Sequence, residues 1–384
     1  MTAIVTDAHY RMSVSLIRDL FDRGVRVAAC EKASIEAPVG FASRGTAQCI
    51  RLPDEEYEAA LLALCREMLE IEGEKPVLLP VGAKTLAMVS RSRDAFSAVA
   101  GLCAATPSQL ALFNDKAAVS ALAKTLGVPV PESFERQPEE ADEPFFSRVP
   151  LPCAVKPHCG ENFGLTASQR YRICRTKDEL RAAFHHFKAL TNEDPIVQEY
   201  LPGAAYGCSV LAKDGAVYRS LCHRRVREYP VSGGPSSCCE SVSRSDLLAF
   251  SEALVQETGF TGPAMFEFKC AADGSPRLLE VNPRVWGTFP LTRAAKTDFA
   301  YSWFCLAAGL PLPEEVPAQH VKMAYYPADF AAGLGYLKAG QPGRFFAAAA
   351  DFLNPRVKNG IADPKDPAPA QVYFRNLFHR GGHK

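Results

Sequence analysis

Residues 264 to 284 read Ala-Met-Phe-Glu-Phe-Lys-Cys-Ala-Ala-Asp-Gly-Ser-Pro-Arg-Leu-Leu-Glu-Val-Asn-Pro-Arg. Two short apolar runs flank Asp273-Gly274, a pairing that usually turns a hairpin. Each run carries one acid: Glu267 between Phe266 and Phe268, and Glu280 between Leu279 and Val281. Glu280, Asn282 and Arg284 then alternate with Val281, Pro283 and Val285, so in an extended chain the three polar groups share one side. A lone glutamate in a strand would face solvent, because buried carboxylates are rare unless paired. Two carboxylates and an amide oxygen on one face instead form a hard oxygen site. Mg²⁺ prefers such a site when it bridges nucleotide phosphates.

A chain of 384 residues predicts two or three structural units. Lys plus Arg and Asp plus Glu both number 43. The resulting zero net charge argues against a nucleic-acid partner, which would be advertised by a basic surface. Apolar stretches fall short of the roughly 20 residues that span a bilayer, so no integral membrane segment is expected. The first residues, Met-Thr-Ala-Ile-Val-Thr-Asp, lack the basic flank and apolar core of a secretory signal. The 13 cysteines contain no CxxC and no Cys/His run at ligand intervals, which predicts free thiols in a reducing, cytoplasmic setting.

Along the chain, the strand Ala3–Thr6 precedes a helical pattern with Met12, Leu16, Ile17, Leu20 and Phe21 on one face, ended by Gly24. A strand from Val25, a helix containing Tyr57, Leu61, Leu64 and Met68, and a strand near 76–80 follow. This alternation predicts a parallel, doubly wound α/β sheet. No G-x-G-x-x-G marks a dinucleotide turn, and Gly82-Ala83-Lys84-Thr85 only imitates the end of a phosphate loop. Asn114-Asp115-Lys116 opens the next helix, and the charged stretch 135–144 reads as a surface loop. Leu151–Pro157 reads as a buried strand ending in Lys156, followed by a loop with Gly160 and Gly164. A cation at a strand end, with loop N–H groups beside it, can hold nucleotide phosphates. A helix at 177–189, a strand at 195–200, a hairpin about Lys213-Asp214-Gly215 and a helix at 245–258 complete the pattern.

The order Asn-Asp-Lys, Val-Lys-Pro, Gln-Glu-Tyr-Leu-Pro-Gly, Phe-Glu-Phe and Glu-Val-Asn-Pro-Arg resembles the ATP-grasp superfamily, within it the carboxylate–amine (or thiol) ligase-like subgroup. The resemblance implies an α/β (α+β) ATP-grasp fold: a Rossmann-like domain at 1–105, then an ATP-grasp domain at 106–325. Its hinge would fall near 198–203, with ATP bound between two subdomains. Residues 326–384 form a C-terminal appendage, expected to pack on the core or on a twin subunit in a homodimer. By the same resemblance, Lys116, Lys156, Gly160 and Gly164 contact phosphates, and Gln198, Glu199, Tyr200 and Leu201 hold adenine. Glu267, Glu280 and Asn282 would bind one or two Mg²⁺, or Mn²⁺ in its place, and Arg284 would face the reacting carboxylate.

The run Arg224-Arg225-Val226-Arg227-Glu228, followed by Gly233-Gly234-Pro235-Ser236, reads as an active-site strand plus a glycine loop, with Arg225 or Arg227 near triphosphate or substrate. His9 and Arg11 follow the first strand at the edge where α/β sheets bind ligands, and could touch the acceptor or serve as cap and surface groups. Two features depart from the family pattern. Ala204-Ala205-Tyr206 stands where an acid commonly holds the ribose, and Glu161 and Asn162 occupy the tip of the loop after Lys156. The expected activity is C–N ligation of a small-molecule carboxylate to an amine, through an acyl phosphate, with release of ADP and phosphate. A carboxylase or carbamoyl-phosphate-synthase-like reaction and a catalytically silent nucleotide-binding protein are the alternatives.

Overall fold

Hydrophobic alternation in the first hundred residues folds as its period dictates. In the computed structural model, which describes residues 1–158, 165, 169, 171–231 and 233–380, five strands form a wholly parallel sheet in the order β3-β2-β1-β4-β5. They are β1 (Thr2–Val5), β2 (Arg26–Lys32), β3 (Gln48–Leu52), β4 (Val77–Leu79) and β5 (Gly101–Leu102). Helices α1 (Arg11–Asp22), α2 (Tyr57–Glu72), α3 (Ala83–Arg91) and α4 (Arg93–Val99) supply the connections. Ile4, Ala28 and Leu78 pack towards α2, while Ala3, Val5, Val27 and Leu79 face the opposite layer.

Helix α5 (Pro107–Asn114) begins with a capping box on Thr106, and Asp115 then caps α6 (Lys116–Thr125). A four-stranded sheet follows, ordered β6-β9-β7-β8, from β6 (Ser133–Phe134), β7 (Cys153–Lys156), β8 (Arg172–Cys174) and β9 (Ile196–Glu199). Helices α7 (Asp142–Arg148) and α8 (Lys177–Thr191) cover one face, burying Phe145, Phe146, Phe184 and Phe187. The stretch 135–144, expected as a surface loop, runs into α7 because Phe145 and Phe146 offer the turn an apolar anchor.

The largest sheet runs β14-β13-β10-β11-β12-β15-β16. Its strands are β10 (Ala204–Lys213), β11 (Ala216–Glu228), β12 (Ser236–Ser241), β13 (Gly262–Cys270), β14 (Pro276–Asn282), β15 (Lys322–Ala324) and β16 (Lys358–Asn359). Helix α9 (Ser245–Thr258) packs on it together with α5 and α6. After β14 the chain passes through α10 (Pro290–Ala294) and α11 (Phe299–Ala308). Trp286, Phe289, Phe299 and Trp303 bury themselves against the parallel sheet. That packing ties the end of the hairpin to the N-terminal layer.

Residues beyond 326 are built into this frame. Helices α12 (Ala328–Lys338) and α13 (Pro342–Leu353) pair beside β11 and β12, and β16 extends the large sheet. Helix α14 (Ala368–Arg380) returns to the N-terminal layer. There Arg18 donates from Nε to Asp366 Oδ2 at 2.9 Å, with both side chains buried. The outer faces of α12 and α13 leave Phe330, Leu334, Phe352 and Leu353 exposed. Among the described residues, no helix is long and apolar enough to cross a membrane.

Candidate active site

A cavity of about 890 Å³ lies between the four-stranded and seven-stranded sheets. Strand alternation aims the side chains into it. On β7, Cys153 and Val155 are buried while Ala154 and Lys156 turn to the cavity. On the hairpin, β13 and β14 place Glu267 opposite Glu280, and Phe268 opposite Leu278. Leu279 is therefore the extra residue of a β-bulge, and the twist it adds lets Leu279 and Glu280 both line the cavity.

Two carboxylates directly opposite each other repel unless cations lie between them. Here they do. Lys116 Nζ lies 3.0 Å from Glu280 Oε2. Arg225 donates to Glu267 Oε2 and lies 3.7 Å from Glu228. Asn282 Nδ2 donates to Glu267 Oε1 at 3.0 Å, and Arg284 Nη2 donates to Asn282 Oδ1 at 3.3 Å. Lys116 is the first residue of α6, where the helix dipole disfavours a cation; Glu280 offsets that cost.

The ionisation states follow from this crowding. Desolvation pushes Glu280 up, but Lys116, Lys156 and Arg225 outweigh it and hold the carboxyl at about 2. Glu267 is raised, chiefly by burial and further by Glu280, against the pull of Arg225. Lys156 is lowered to about 8, first by burial and then by Lys116, with Glu280 opposing. His223, fully buried and lowered to about 3 by desolvation and then by Arg225, is neutral. Its Nε2 lies 3.2 Å from Thr288 Oγ1. Its ring fills the space over Gly207, its partner across β10 and β11, where any Cβ would collide.

Strand β9 runs into residues 198–203, the segment where a hinge is expected. Gln198 is buried and donates to Ser133 Oγ at 3.2 Å. The N–H groups of Glu199 and Tyr200 bond to Glu132 O and Pro152 O, and among the described residues the Leu201 N–H makes no such backbone bond. All four line the cavity. Gly160, Gly164, Glu161 and Asn162 lie outside the described residues.

Arg227 also borders the cavity. Its guanidinium is buried and donates to both Asp329 oxygens at 2.8 Å and to Asp351 at 2.8 Å. This cation pins β11 to α12 and α13, because a bulge between Arg225 and Arg227 turns the two side chains to different neighbours. The glycine loop packs under Tyr171: Gly233 has φ +126°, and a Cβ there would strike the Tyr171 hydroxyl. His9 is committed to Glu31, with Nδ1 2.7 Å from Oε2, while Arg11 reaches the cavity. Tyr336 and Arg344 also line it. No local pattern marked them, because they lie more than a hundred residues from Arg225 in sequence.

Comparison with known proteins supports this architecture. Residues 191–327 match a family described as ATP-grasp in the biosynthetic pathway with Ter operon. The structure superposes on biotin carboxylase from Campylobacter jejuni with a TM-score of 0.65 and 15% identity, covering 84% of this chain and 74% of that one. It superposes on L-amino acid ligase from Bacillus licheniformis with a TM-score of 0.58 and 15% identity, covering 84% and 78%. The fold is ATP-grasp. The biotin carboxylase domain of a 2-oxoglutarate carboxylase from Hydrogenobacter thermophilus, solved with MgADP and bicarbonate, shares that fold (TM-score 0.63, 16% identity, 84% and 73% covered). In sequence, the chain is 25% identical over 258 residues to the carbamoyl phosphate synthase large chain of Deinococcus radiodurans. That match takes in 64% of this chain but 24% of the large chain.

Among the described residues no group of three or more His, Cys, Asp and Glu is placed to hold a metal. The oxygens of the cleft that converge as a pair of carboxylates and an amide are those of Glu267, Glu280 and Asn282. That short oxygen set fits Mg²⁺, which usually takes one or two carboxylates and completes its shell with phosphates and water. Burial raises Glu267, so its charged form gains from any added cation.

Proposed function

We propose that this chain is an ATP-dependent ligase that phosphorylates a small-molecule carboxylate and joins it to an amine, releasing ADP and phosphate. The observation that carries the reading is the convergence of Lys116, Lys156, Arg225 and Arg284 with Glu267, Glu280 and Asn282 on one cavity. Leu201 N–H and the neighbouring hinge would read the adenine edge. Lys116 and Lys156 would hold the phosphates. Glu267, Glu280 and Asn282 would hold Mg²⁺, or Mn²⁺ in its place, which would supply positive charge against the phosphates. Arg225 and Arg284 would face the charge that spreads over the transferred phosphoryl group and the acceptor carboxylate. Arg227 acts as a positioning residue that holds the Arg225 strand. The amine then attacks the acyl carbon and phosphate leaves, so the chain needs position and charge rather than a nucleophile of its own.

The test is a screen of carboxylates for stimulated ADP release, with hydroxylamine replacing the amine. ADP and a hydroxamate should form together, and Glu280→Gln should fold normally yet lose about 100-fold or more of the rate. AMP as the stoichiometric product would overturn the mechanism. A carboxylase-type reaction on bicarbonate is the second reading, favoured by the likeness to carbamoyl phosphate synthase. ADP release dependent on bicarbonate alone would select it.

A further inference from the structure

We infer that the substrate end of this cleft recognises a second acidic group on the molecule it binds, and that Arg11 and Arg344 are the residues that read it. The inference rests on the ligase reading above for which end of the cleft holds substrate. Arg11 lies with its guanidinium carbon 4.1 Å from the centroid of the Tyr325 ring. Its Nη2 and Nε donate to Gly287 O at 3.1 and 3.3 Å, and Gly287 follows Arg284 by three residues. Arg344 stands 4.8 Å above the centroid of Tyr336. The Tyr336 hydroxyl accepts from the backbone N of Glu228 at 3.5 Å, three residues beyond Arg225. Each arginine is thus tied, through Gly287 or through Tyr336, to the chain segment that carries one of the two arginines assigned to the reacting end, and all four line one cavity.

Both tyrosines are buried, Tyr325 at 2% and Tyr336 at 4% exposure, so each presents a rigid plate. A guanidinium stacked on such a plate satisfies its flat face; Arg11 spends its Nε–Nη2 edge on Gly287 O, and its Nη1 end stays open to a planar anion. The charge balance gives the second argument. Lys116 and Arg225 each have a glutamate partner in the cleft. Among the described residues, neither Arg11 nor Arg344 has a carboxylate within ion-pair distance. Arg344 is exposed and Arg11 half-buried, so water already solvates both, and a second acid on the substrate gains from them as an added counter-charge. A dicarboxylate, or an amino acid with an acidic side chain, would supply one. Arg344 comes from α13, so the C-terminal helical pair takes part in recognition as well as in packing.

The test titrates the full chain by calorimetry with succinate, glutarate and adipate, and with the monoamide of each, with and without saturating Mg·AMP-PNP. At least one dicarboxylate should bind about tenfold or more tightly than its amide, the size expected for one charge-assisted contact. Arg11→Gln and Arg344→Gln should each reduce that preference to below about threefold while leaving the AMP-PNP affinity and the melting temperature near wild type. Equal binding of acid and amide throughout the series, or a preference that survives in both variants, would overturn the inference. Failure of AMP-PNP to bind would instead strike the ligase reading, and the nucleotide-free titrations would still decide whether the cleft reads the second acid.

Discussion

Lys156 carries the sharpest consequence at the scale of a single residue. Burial and Lys116 hold it at about 8, below the ordinary lysine range, so the folded protein sheds this proton before the unfolded chain does. Between pH 8 and the ordinary value, the unfolded state binds more protons, and this group makes the unliganded chain more stable as pH rises. Phosphates arriving at the clamp favour the charged form and push the value back up. Nucleotide binding near pH 8.5 should therefore take up protons, up to about one per site. Calorimetry in two buffers of different ionisation enthalpy measures that uptake. It should vanish in Lys156→Met and persist in Lys84→Ala, whose lysine is exposed on α3. An unchanged proton uptake in Lys156→Met would remove Lys156 from the clamp.

At the scale of elements, the pin of Arg227 on Asp329 and Asp351 decides how the Arg225 strand is held. Both ends are sealed: the side chains of Arg227 and Asp329 are 3% and 1% exposed. Asp329→Ala removes the two-oxygen partner and leaves the buried Arg227 with Asp351 alone, so it should cost about 3 kcal/mol, the low end for breaking a buried pair, read from the denaturation midpoint. A joint Arg227→Met, Asp329→Leu change should recover most of that loss, because well-packed apolar groups often replace a buried pair without penalty. A midpoint for Asp329→Ala equal to wild type would mean that α12 is not held through this pair. The hairpin itself was readable from sequence, since alternation about Glu267 and Glu280 and the Asp-Gly turn are local signals. The register that sets Glu267 opposite Glu280, with Leu279 bulged, depends on pairing between strands and was not.

For the whole molecule, the C-terminal residues close the structure on itself. Asp366 accepts from Arg18, Ser43 and the Arg44 backbone, β16 extends the large sheet, and Asp329 and Asp351 neutralise Arg227. A chain stopped at residue 325 should lose all three ties at once. It should express poorly or melt without cooperativity, as followed by circular dichroism and size-exclusion chromatography. A truncated chain that melts at the wild-type temperature would show that 326–384 is dispensable for folding. With Arg344 also lost, the acid preference of the cleft should disappear in any folded remnant.

Sequence by itself determined the elements whose signals are local: the parallel βα units of the first hundred residues, the α9 helix, and the acid-bearing hairpin. It also singled out Lys156, a cation at a strand end beside a glycine-bearing loop, whereas the role expected of Lys116 came from the family resemblance. Tertiary structure alone decided which carboxylates each arginine pairs with. Arg225 and Arg227 are indistinguishable in the run Arg-Arg-Val-Arg-Glu, and a bulge sends one to Glu267 and the other to Asp329. It also decided that Arg11 and Arg344, more than three hundred residues apart in sequence, border one cavity. The physical reason is the same in both cases: side-chain period is a property of the strand or helix, whereas a shared site is a property of how sheets and helices pack.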